Sequence, residues 1–174
     1  LADKNHYDSN FNIAGCYQGL LIFDKAIKFY KDCSKIDINK FEPYHQIGVC
    51  YRQLREYEDS IIFLNKAVKI SVNAKSLYVL GNVYRENGQF EEAKKSFEKS
   101  ISVNNGFTQS KLSIANLEVD NGNYDHASKL LDEIILSDNS DQILISAKIM
   151  IGHIFKSKGE FEKAIKINKD ILDK

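Results

Sequence analysis

Cys16, Cys33 and Cys50 stand 17 residues apart, and evenly spaced thiols are where a metal site would be sought first. Structural zinc takes four ligands, usually with two of them only a few residues apart, and this spacing supplies no such pair. The histidines, His6, His45, His126 and His153, stand singly in distant stretches with no His-x-x-x-His pair. Neighbouring acids such as Glu91 and Glu92 could act as general acid and base. Acids at that place recur in a regular register, however, with Asp24, Glu58, Asp125 and Glu162 among them, as partners of a helix dipole do. Gly15 and Gly19 lack the lysine pattern of a phosphate-cradling loop, and there is no nucleophile elbow. The chain therefore reads as non-catalytic, with no cofactor and no metal. The chemistry left to it is recognition: Arg52, Arg85 and Lys156 are cations, and a guanidinium binds carboxylates through two parallel hydrogen bonds.

The register that spaces these residues is a repeat. Five times an aromatic residue is followed by an acid, any residue and a small one: Phe23-Asp24-Lys25-Ala26, Tyr57-Glu58-Asp59-Ser60, Phe90-Glu91-Glu92-Ala93, Tyr124-Asp125-His126-Ala127 and Phe161-Glu162-Lys163-Ala164. The copies lie 34, 33, 34 and 37 residues apart. Six residues before each aromatic stand Tyr17, Tyr51, Tyr84, Glu118 and Phe155, and nine before it Ala14, Gly48, Gly81, Ala115 and Gly152. Gly88, Gly122 and Gly159 come two before it in the last three copies, where a glycine suits the left-handed residue that ends a helix.

Apolar steps of three and four residues, as in Leu77, Leu80, Tyr84 and Phe90, Ala93, Phe97, Ile101, place these groups on helix faces. They predict first helices near 7–20, 41–54, 74–87, 108–121 and 142–158, and second helices near 23–36, 57–70, 90–103, 124–137 and 161–173. Each repeat becomes an antiparallel helix pair that buries its apolar face against its neighbours. The fold class is all-α, in one domain over 1–174 with repeats at about 7–40, 41–73, 74–107, 108–144 and 145–174. The five aromatics are expected in the core, with Ala26, Ala93, Ala127 and Ala164 at close helix contacts. Cys16 and Cys50 share a column with Val83, Leu117 and Ile154, and Cys33 one with Ala67, Ser100, Ile134 and Ile171. These are packing positions, where a free thiol serves as a small hydrophobe. The longer fourth spacing predicts an extended loop around Asp138 to Asp141.

With Lys+Arg 24 against Asp+Glu 24, no net field draws the chain to nucleic acid or an anionic membrane. No apolar run reaches the roughly 18 residues of a membrane span, and no signal peptide is visible. Unpaired buried thiols suit a reducing compartment, the cytoplasm. The chain opens on Leu1 rather than methionine and is read as an excerpt of a longer protein. Ile165, Ile167, Ile171 and Leu172 give the last helix an apolar face that further repeats or a partner would cover.

The run Leu80-Gly81-Asn82-Val83-Tyr84 followed by Gly88-Gln89-Phe90-Glu91-Glu92-Ala93 resembles the tetratricopeptide repeat, and the resemblance extends over nearly the whole chain. The proline that this family places near the end of each repeat is replaced by Ile38, Val72, Asn105 and Asn139. The resemblance implies a right-handed superhelical solenoid whose concave face is lined by the first helices. On that face it places Phe11, Gly15 and Gln18; His45, Val49 and Arg52; Tyr78, Asn82 and Arg85; Leu112, Asn116 and Val119; and Ile149, His153 and Lys156. The implied function is a protein–protein interaction scaffold holding a peptide or partner subunit in this groove. Arg52, Arg85 and Lys156 would meet acids of the partner, and of the acids four residues from either arginine only Glu56 competes. Alternative roles are a substrate-targeting repeat domain of a larger enzyme, or a transport or ciliary assembly subunit bound through its ends and convex face. The lysine and asparagine clamp by which some family members hold acidic chaperone tails is absent. Its positions fall, for example, on Phe11, Gly15, Gln46, Lys75 and Val79.

Overall fold

Apolar steps of three and four residues produce helices along the whole of the computed structural model, which describes residues 4–138 and 140–172. The elements are α1 (Lys4–Gly19), α2 (Phe23–Ile36), α3 (Phe41–Gln53), α4 (Tyr57–Ile70), α5 (Ala74–Glu86), α6 (Phe90–Val103), α7 (Thr108–Asp120), α8 (Tyr124–Ser137), α9 (Asp141–Ser157) and α10 (Phe161–Leu172). No strand forms among the described residues. The helices pair as the repeat requires, α1 with α2 through to α9 with α10. Asn139, in the missing-proline column, and residue 173, at the expected end of the last helix, lie outside the described residues.

Two compact units divide the chain, one holding α1–α6 and the other α7–α10. In the first, Ala14, Ala26, Ile27, Tyr30, Ile47 and Cys50 form one core cluster, and Leu64, Val79, Leu80 and Val83 form the next. In the second, Leu112, Ala115, Ala127, Leu131, Ile134, Ala147 and Ile154 cluster together. The small column sets how near the paired helices come. A β-carbon added at Gly48 would lie 2.6 Å from Leu64 Cγ, and one at Gly81 would lie 2.5 Å from the Phe97 ring. At Gly48 the approach is fastened by the Ser60 hydroxyl, which donates to the Gly48 carbonyl at 2.7 Å.

Every turn within a pair is built the same way. The amide of the residue before the aromatic donates five residues back, Ile22 to Tyr17, Glu56 to Tyr51, Gln89 to Tyr84, Asn123 to Glu118 and Glu160 to Phe155, at 2.8–2.9 Å. Inside it a shorter bond closes, such as Gly88 N–H to the Arg85 carbonyl at 3.1 Å. This is the Schellman motif, which needs a left-handed residue just after the helix. Gly88, Gly122 and Gly159 take that place with φ of 76°, 77° and 76°, while Leu21 and Arg55 take it with φ of 61°. A side chain in that conformation costs about 1–2 kcal/mol, partly offset by the greater chain entropy that glycine loses on folding. Arg55→Gly is therefore expected to stabilise the first unit by about 1 kcal/mol, read as a higher urea midpoint. A lower midpoint would mean that the arginine side chain contributes more than its backbone costs.

Three expectations are corrected. The aromatic column is not core: Phe23, Tyr57 and Tyr124 are half-buried, and Phe90 and Phe161 are 55% and 57% exposed. Each opens the second helix at the turn end of its pair, where only one flank is covered. The core position comes two turns later, at Tyr30, Leu64, Phe97 and Leu131, all buried, while Ala26, Ala93, Ala127 and Ala164 are buried as expected. Cys16 is exposed, although Cys33 and Cys50 are buried. The Cys50 column packs on the preceding helix pair, beside Ala26, Ile27 and Tyr30, and Cys16 lies on the corresponding side of α1. Finally, the long fourth spacing lengthens a helix and not a loop. α9 has 17 residues against 13 in α3, α5 and α7.

Candidate protein-interaction site

The candidate residues lie on first helices and are placed unit by unit. On α1, the Phe11 ring stacks on Tyr7 at 5.9 Å and meets Tyr30 edge-on at 5.1 Å. The Tyr30 hydroxyl in turn donates to Gln18 Oε1 at 2.8 Å. On α3, His45 is buried and its Nδ1 lies 2.9 Å from the Ser76 hydroxyl of α5. Burial, with Lys75 close by, pushes this imidazole down to about 4, so it is neutral at pH 7. On α5, Tyr78 packs half-buried against Phe97, 6.0 Å between centroids, and Asn82 is buried. Arg85 is half-buried.

Arg52 is not unopposed. Its guanidinium grips the Glu86 carboxylate in a fork, Nε donating to Oε2 at 2.9 Å while Nη2 donates to Oε1. The hydrogen bonds to Glu86 hold its pKa above the usual arginine range. The neutralising acid stands one repeat further on, at the end of α5, not along its own helix. Arg52, Glu86, Gln53, Arg55 and Tyr57 together line an open polar cleft beside the α3–α4 turn. Arg85, in the same column, makes no ion pair among the described residues.

In the second unit Leu112 is buried in the core of α7, α8 and α9. Asn116 is half-buried, and Ile149, His153 and Lys156 are exposed on α9. Burial of His45, Asn82 and Leu112 removes them from any surface a partner can reach. His45 faces the neighbouring first helix, where it meets Ser76. The eight others keep surface: Phe11, Arg52, Tyr78, Arg85, Asn116, Ile149, His153 and Lys156.

Residues that the sequence reading missed include Glu118, which breaks the aromatic column. Its carboxylate is buried, accepts from Asn123 Nδ2 at 2.7 Å and faces His126 Nδ1 at 3.4 Å, so it ties the α7–α8 turn. The break in the column was its only signal. Among the described residues no three His, Cys, Asp or Glu side chains gather as metal ligands. Burial raises the Cys33 thiol to about 11 and the Cys50 thiol to about 12, so both stay protonated. No helix among the described residues is long and apolar enough to cross a membrane.

Among the described residues ten helices form five pairs, each closed by the same turn. Residues 41–71, 74–107 and 145–169, together more than half of the chain, match the family model described as the tetratricopeptide repeat. The chain belongs to the tetratricopeptide repeat family. It is thereby a module for protein–protein interaction. Among solved structures, one of MamA is 24% identical with a TM-score of 0.79, covering 92% of this chain and 93% of that one. MamA 41-end from Desulfovibrio magneticus RS-1 is 14% identical with a TM-score of 0.82, covering 97% and 94%. YrrB, described as a tetratricopeptide repeat protein with an unusual peptide-binding site, is 19% identical with a TM-score of 0.71, covering 94% and 84%. At these identities the likeness is one of fold. Comparison with curated proteins gives no match.

Proposed function

We propose that this tetratricopeptide repeat chain is a non-catalytic scaffold that holds a segment of a partner protein against its first helices. In the first unit the contact surface is Phe11, Arg52, Tyr78 and Arg85; in the second it is Asn116, Ile149, His153 and Lys156. In the first unit, acids of the bound segment meet Arg85. The observation that carries this reading is Arg85, a half-buried cation without an acid partner among the described residues, one turn pair along α5 from the aromatic Tyr78. Its counterpart Arg52 already has an internal carboxylate in Glu86. A guanidinium left without its own acid favours a ligand that brings one. The unusual peptide-binding site described for YrrB agrees with a family member taking a peptide.

Arg85→Glu is the clean test. Arg52→Glu would break an internal pair and set two carboxylates together, whereas Arg85 has no such pair to lose. Partners captured from the native source on the wild-type chain are expected to bind Arg85→Glu at least about tenfold more weakly, with an unchanged melting temperature. Equal capture by both proteins would remove the first-helix surface as the binding site.

A further inference from the structure

In the first unit two tyrosines of the first helices each carry a phenylalanine from the following helix. Tyr17 stacks with Phe29, 5.7 Å between ring centroids, and Tyr51 lies against Phe63 at 5.5 Å. In the third repeat the tyrosine is present as Tyr84, but the residue in register with Phe29 and Phe63 is Ser96. Where the ring would stand, the surface holds a notch of about 240 Å³ between α4, α5 and α6. Val68, Leu77 and Leu80 line it together with Tyr84 and Ser96. The Ser96 hydroxyl donates to the Glu92 carbonyl at 2.8 Å, so its polar demand is met within its own helix and the floor is apolar. A cavity of roughly 150 Å³ accepts a benzene ring, so this one has room for a phenyl side chain.

The rim says what accompanies that ring. Lys95 and Lys99 border the notch against one acid, Glu92. Lys99 holds the register position of Lys66, whose Nζ lies 4.9 Å from the centroid of Phe63. The third repeat therefore keeps the tyrosine wall and the α6 counterpart of Lys66 but lacks the ring between them, and Asn65, whose Nδ2 donates to the Tyr84 hydroxyl at 3.5 Å, stands where Lys31 covers the second pair.

We propose that this notch seats one phenylalanine side chain from an acidic segment of a partner protein. The ring lies against Tyr84 as Phe63 lies against Tyr51, Lys99 covers its face as a cation–π partner, and flanking acids meet Lys95 and Lys99. Arg85 takes no part, so the site stands independently of the first-helix surface.

The probe is the end-blocked peptide Glu-Glu-Phe-Glu-Glu, titrated into the whole chain and followed by amide NMR shifts. Saturable shifts at Leu80, Tyr84 and Lys99 are expected, with at least about tenfold weaker binding when the peptide's phenylalanine is alanine. Ser96→Phe, which builds the missing ring into the chain, is expected to abolish binding and raise the melting temperature. The double variant Lys95→Glu, Lys99→Glu changes only exposed side chains and is expected to weaken binding at least about tenfold, which decides the matter should Ser96→Phe fold poorly. Arg85→Glu is expected to leave this binding unchanged. The proposal is overturned by no saturable shift at millimolar peptide, by equal binding of the phenylalanine and alanine peptides, or by binding that survives the lysine reversal.

Discussion

Phe97→Ala is expected to destabilise the first unit by about 3–5 kcal/mol, while Phe90→Ala, seven residues earlier on the same helix, costs about 1 kcal/mol or less. Phe97 has no exposed surface. Its ring occupies the space that the missing β-carbon of Gly81 leaves, and Tyr78 packs on its other side. Truncation leaves a cavity that the surrounding helices close only in part. Phe90 is 55% exposed and starts its helix, so water fills the space its ring vacates. Urea unfolding of both variants checks the pair of values. A loss at Phe90 as large as that at Phe97 would mean that the turn-end aromatic carries the helix pair after all.

That contrast marks how far the sequence was legible. Helix positions followed from period and spacing to within a few residues, because they depend on contacts within one repeat. The left-handed turn was legible too, since Gly88, Gly122 and Gly159 announce it and Leu21 and Arg55 share their column. The aromatic column misled because its regularity reflects the turn it adjoins, and regularity by itself does not say how deep a residue sits. Contacts between repeats were out of reach of any single-helix argument. The acid for Arg52 stands 34 residues on, and the partner of His45 stands 31 residues on. Near one repeat length, separations of that size put side chains of successive first helices side by side. Searching at the repeat period rather than at i±4 would have found both. The Ser96 notch was legible only by subtraction, as one small residue in a column of Phe29, Phe63, Leu130 and Ile167.

The His45–Ser76 contact makes stability depend on pH. The buried imidazole titrates near 4 in the folded chain against an ordinary 6.5, with desolvation the main cause and Lys75 adding to it. Between those values the unfolded chain binds a proton that the folded chain refuses, so stability falls as pH falls. His45 contributes in full above pH 6.5, loses its contribution progressively through the window from 6.5 to 4, and changes little below it. The whole window is worth about 3 kcal/mol, and the part above pH 5 about 2 kcal/mol. Carboxylates held low, such as Asp125 beside Lys158, lose their contribution only at lower pH, so melts between pH 7 and pH 5 of the wild type and a His45 variant isolate this histidine by difference. His45→Gln retains a hydrogen-bonding side chain for Ser76 and cannot take up the proton. Its stability is expected to stay nearly level over that range while the wild type loses about 2 kcal/mol. Parallel losses in the two proteins would show that the imidazole between α3 and α5 is hydrated enough to titrate normally, and that the junction between these first helices opens to water.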